Sequence, residues 1–99
     1  MSKRGLIAAI DRVLLDEERY AAKLQDRGDF GLAKLAWAAI GGVKRAVKVA
    51  AKGGEQTLAE RLVQALHAER AEYSGLWDDA DGIGTSTFAR VLDLLEATE

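Results

Sequence analysis

Not one proline interrupts the 99 residues, and apolar side chains recur every three or four positions along nearly all of them. Proline ends or kinks a helix because its ring removes an N–H and crowds the preceding turn. A chain without it, rich in Ala and Leu, is free to run in long helices. Strict alternation of apolar and polar residues, the mark of a half-buried strand, is nowhere sustained. The sequence therefore predicts an all-α fold: a small helical bundle with short loops, in a single domain over 1–99 with one modest core.

Glycines place the breaks, at Gly28, Gly53-Gly54, Gly75, and Gly82 with Gly84. The first helix is expected over about 3–26, with Leu6, Ile10, Val13, Leu14, Ala21 and Leu24 facing inward. Asp29 is the expected N-cap of a second helix over about 30–52, its carboxylate accepting an orphan backbone N–H. The first half of that helix carries Phe30, Leu32, Leu35, Trp37, Ile40 and Val43 all round, which predicts the buried centre of the bundle. Ala38, Gly42, Ala46 and Ala50 make a smooth ridge at four-residue spacing. Gly41-Gly42 is either a tight packing point or a break, and a break would raise the helix count from four to five.

Thr57-Leu58-Ala59-Glu60 fits a capping box that opens a third helix, with Leu58, Leu62, Ala65, Leu66 and Tyr73 inward and an end near Gly75. Leu76 to Gly84 reads as the longest irregular stretch. A last helix is expected over about 87–97, with Phe88, Val91, Leu92 and Leu95 on one face. The run Gly28-Asp29-Phe30, followed by Ala33 and Trp37, resembles the second helix of a tetratricopeptide unit. That resemblance covers about a third of the chain and implies a helical hairpin; no second copy follows at the period of such repeats.

Residue chemistry excludes many functions. Without cysteine there is no thiolate metal site, disulfide or cysteine nucleophile, and one histidine cannot build a two-histidine site within a chain. Asp79 and Asp81 fall on the first and third ligand positions of a calcium loop if Gly84 is its turning glycine. Ile83 and Arg90 then occupy the fifth and twelfth, where oxygen ligands are needed. No nucleotide-binding glycine fingerprint, nucleophile elbow or carboxylate–histidine pairing is present. The expectation is a protein that is not an enzyme, with no catalytic residue, cofactor or metal.

Lys3-Arg4 precede an apolar run that Asp11 closes too early for a signal peptide. The stretch from Phe30 to Val43 contains Lys34 and is shorter than the roughly 17–25 apolar residues of a spanning helix. With the missing cysteines, this sets the expectation of a cytoplasmic protein.

Charge is distributed unevenly. Residues 1–28 carry six basic and five acidic groups, 29–54 five basic and one acidic, and 55–99 three basic and ten acidic, so a total of −2 hides segments of +1, +4 and −7. Lys44, Arg45, Lys48 and Lys52 form a basic stripe on the second helix. Its functional partners are nucleic-acid backbone or an anionic membrane, but the net acidity argues against nucleic acid. The acids Asp78, Asp79 and Asp81 follow Leu76-Trp77, a tryptophan rimmed by carboxylates as at a binding hot spot.

The resulting expectation is a non-enzymatic protein-interaction module, a small regulator, adaptor or inhibitor. Its acidic C-terminal half would dock on a basic partner through Leu76, Trp77, Asp78, Asp79 and Asp81. The alternative is a membrane-surface protein acting through the cationic amphipathic segment 32–52. The apolar surface of the first three helices also admits a homodimer.

Overall fold

The computed structural model describes residues 2–97. Met1, Thr98 and Glu99 of the expected domain lie outside the described residues. Four helices account for most of the chain: α1 Lys3–Asp26, α2 Phe30–Ala51, α3 Leu58–Leu76 and α4 Ile83–Ala97, with no strand among the described residues. α2 packs against each of the other three helices, and one apolar cluster draws on all four.

Local chemistry explains the boundaries. Ser2 Oγ accepts from Gly5 N at 3.1 Å and starts α1. At its end Gly28 adopts φ 83°, with Gly28 N donating to Gln25 O and Asp29 N to Leu24 O. These two bonds form a Schellman stop, which needs a left-handed residue at this point and so favours glycine. Thr57 Oγ1 accepts from Glu60 N at 3.2 Å, the hydroxyl half of the expected capping box.

α2 runs unbroken through Gly41-Gly42, so the helices number four and not five. Gly42 is the tight packing point: a Cβ there would lie 2.8 Å from Phe88 Cζ on α4, closer than carbon atoms pack. Small residues let the central helix sit this close. Its buried arc is Ala33, Ala36, Ala39, Ile40, Gly42, Val43, Ala46 and Ala50.

Three expectations need correction. Phe30 and Trp37, expected in the core, are 66% and 40% exposed. The alanine-lined arc of α2 is the side that the other helices cover, and the two rings stand seven residues apart on the opposite side. Asp29 precedes α2 but makes no side-chain cap bond; its carboxylate pairs with Arg27 at 3.0 Å instead. α4 begins at Ile83 and not near Thr87, because its cap is supplied from the preceding loop.

Candidate functional site

The candidate site is the α3–α4 junction. α3 ends at Leu76, and Trp77 turns extended (φ −124°, ψ 135°) while its N–H still bonds Tyr73 O at 2.9 Å. This leaves Leu76 71% exposed, whereas Trp77 is half-buried and packs against the core. The chain then passes through Asp78, Asp79, Ala80, Asp81 and Gly82 into α4.

Asp79 organises this turn. Its Oδ1 accepts from Ile83 N at 2.8 Å, and its Oδ2 accepts from Tyr73 Oη at 2.9 Å and from Gly84 N and Thr85 N at 3.0 Å each. Thr85 Oγ1 adds a contact at 3.2 Å. The carboxylate thus satisfies three of the four orphan N–H groups of α4 and meets the positive end of its dipole. Burial pushes the Asp79 pKa up, but hydrogen bonds from Thr85, Tyr73, Ile83 and Gly84 outweigh that effect and hold it below the usual carboxylate value. The Tyr73 phenol is pushed well above its ordinary value, first by burial and then by its bond to the Asp79 carboxylate. Gly84 makes the contact sterically feasible: a Cβ there would collide with the Tyr73 ring, meeting Cε2 at 2.8 Å.

Of the five residues expected to meet a partner, Asp79 therefore faces inward to the fold and has both oxygens committed. Asp78 and Asp81 are exposed. Leu76 and Trp77 border a shallow groove of about 180 Å³ that is completed by Ala38, Gly42, Arg45, Glu72 and Tyr73. The groove mixes apolar walls with an acid and a guanidinium.

The basic stripe divides. Lys44 reaches α1 and pairs with Glu18 at 2.9 Å. Arg45 leans the other way, toward α3, and makes a forked contact with Glu69, with bonds of 3.1–3.2 Å. The hydrogen bond to Glu69 raises its pKa, against a smaller opposing effect of burial. Lys48 and Lys52 are exposed. The apolar side of segment 32–52 packs in the core against the other helices.

Sequence reasoning missed two features. The first is Tyr73 as hydrogen-bond donor; its position three residues before Leu76 gave no sign of the loop acid that it would meet. The second is the shared outward side of Phe30, Lys34 and Trp37, for which the signal was present in their three- and four-residue spacing. Among the described residues no group of three or more His, Cys, Asp or Glu side chains is arranged to hold a metal ion, and no helix is long and apolar enough to cross a membrane. Comparison of the chain with protein-family models, curated proteins and solved structures finds no match.

Proposed function

We propose that the protein is a non-enzymatic interaction module, a small regulator, adaptor or inhibitor, that docks the α3–α4 junction on a basic surface of a partner protein. The observation that carries this reading is Leu76. A leucine 71% exposed at a helix end, beside a half-buried tryptophan and a groove, is an apolar anchor without a partner in the chain. Glu72, which lines the same groove, and the exposed Asp78 and Asp81 of the following loop supply the charge that steers a basic surface into place. Asp79 contributes by holding the loop, not by touching the partner. The proposal keeps the cytoplasm as the compartment, as expected for a chain without cysteine.

The test is affinity recovery of the tagged full chain from lysate of its natural host, with co-purifying chains identified by mass spectrometry. The expected result is one near-stoichiometric chain with a basic surface. Leu76→Ser and the double variant Asp78→Lys/Asp81→Lys should each lose it while keeping the parental melting temperature. Recovery of the protein alone, or equal capture by both variants, overturns the reading. Sedimentation equilibrium on the same preparation decides between monomer and homodimer.

A further inference from the structure

α2 contains no acidic residue. Along its outward side and onto its C-cap, Phe30, Lys34, Trp37, Lys44, Lys48 and Lys52 follow one another at steps of three, four or seven residues, and all six are exposed. Those steps stack side chains on one face of a helix about 33 Å long. Midway, Gly41 adds no side chain, so the face is low at its centre. Two large aromatic rings are left in solvent among lysines, on a helix whose other side supplied ample core positions.

We propose that this face of α2 is a docking surface for an anionic lipid bilayer. The lysines would meet headgroup phosphates and carboxylates, and the Phe30 and Trp37 rings would settle at headgroup level, where amphipathic aromatics reside. Charge complementarity carries the assignment. Lys34, Lys48 and Lys52 form no ion pair among the described residues. Of the acids beside the face, Glu18 on α1 and Glu69 on α3 are taken up by Lys44 and Arg45 at its two flanks, Asp29 pairs with Arg27, and Glu72 lies on the Arg45 side. α4, with its Asp93 and Glu96, packs against the buried side of α2.

The geometry favours a bilayer over a nucleic acid. Single strands are held in grooves where rings and cations interleave along the path. Here the surface is the convex side of a helix, both rings lie in its first eight residues, and the C-terminal half carries cations without an aromatic ring. A flat anionic sheet matches that layout: the rings seat at one end while the cations lie along the plane. This surface uses the core-packed fold as it stands. It does not require the apolar side of α2 to leave the other helices, and it is independent of the α3–α4 junction.

The experiment is flotation of the full chain with vesicles of phosphatidylcholine alone and of phosphatidylcholine mixed with phosphatidylserine, at low and physiological salt. Binding is expected only to the serine-containing vesicles, and weaker as salt rises. Each lysine lost should weaken it roughly fivefold, so Lys34→Gln/Lys48→Gln/Lys52→Gln should reduce it roughly a hundredfold. Phe30→Ser/Trp37→Ser should also weaken it, with helicity by circular dichroism unchanged. In a Trp77→Phe background, brominated lipid should quench the remaining Trp37. No flotation at low salt overturns the proposal. So does equal binding to both vesicle types, equal binding by the lysine variant, or full displacement by a single-stranded oligonucleotide that binds more tightly than the vesicles.

Discussion

Tyr73 Oη donates a 2.9 Å hydrogen bond to Asp79 Oδ2, and the same oxygen receives the backbone N–H groups of Gly84 and Thr85. One carboxylate therefore ties the C-terminal end of α3 to the first turn of α4 and sets the shape of the loop that carries Trp77, Asp78 and Asp81. Losing the phenol leaves the carboxylate with its backbone donors, whereas losing the carboxylate strands several N–H groups and the phenol together. Tyr73→Phe should cost about 1 kcal/mol and Asp79→Ala about 2 kcal/mol in urea unfolding monitored by circular dichroism. Equal costs for the two would contradict this division of roles.

The same pair predicts a pH dependence at both ends. Asp79 is held below its ordinary 3.8, so the folded chain binds fewer protons here than the unfolded one. Its contribution is complete above that value and lost as pH falls through the lower folded pKa. Tyr73 is held above its ordinary 10.0, so its contribution is complete below that pH and fades as the unfolded phenol ionises above it. Denaturant midpoints measured across pH should show a shallower acid limb in Asp79→Asn and a shallower alkaline limb in Tyr73→Phe. An alkaline limb unchanged in Tyr73→Phe would remove Tyr73 as its source.

Adjacent glycines on α2 should respond with opposite signs. At Gly42 a methyl group would press on Phe88 Cζ at 2.8 Å and Cε1 at 3.3 Å, in a fully buried contact. Overpacking of this kind costs about 1–3 kcal/mol, more than the roughly 1 kcal/mol that alanine gains over glycine in a helix. At Gly41 the methyl would meet only Arg45 Nη1, at an ordinary 3.5 Å, so the helix gain stands alone. Gly42→Ala should lower the melting temperature and Gly41→Ala raise it, and adding Phe88→Leu should recover part of the loss at Gly42. A rise in both single variants would mean that α2 and α4 are not in close contact.

The helices were legible where their signals are local. Gly28 and the Thr57–Glu60 pair act within a turn of the boundary that they set, so α1, α2 and α3 begin and end close to where the sequence places them. The start of α4 was not legible. Its cap, Asp79, stands four residues before Ile83 and depends on a loop closure that also engages Tyr73 of another helix. The exposure of Phe30 and Trp37 escaped for a different reason. Hydrophobicity marks which residues are able to be buried, but α2 has neighbours on one side only, and its alanines won that side because they allow closer approach. At the candidate site Leu76, Asp78 and Asp81 are exposed, as their place at a helix end and in a polar loop suggests. The inward role of Asp79 depended on tertiary contacts that no spacing encodes.

One buried hydroxyl offers a stabilising substitution. Thr87 is fully buried on α4, and its Oγ1 has no hydrogen-bond partner among the described residues. A hydroxyl taken from water without a partner costs more than a methyl in the same place. Valine keeps the branched shape and the restricted χ1 of threonine while removing that penalty, and the two have comparable helix propensity. Thr87→Val should therefore raise stability by about 1 kcal/mol, read as a higher urea midpoint with an unchanged slope. Thr87→Ser separates the two effects, since it keeps the hydroxyl but loses the packed methyl, and it should fall below the parent. A loss of stability in Thr87→Val would show that the hydroxyl does find a partner in solution, and the core around Phe88 and Val91 would then enclose a polar contact.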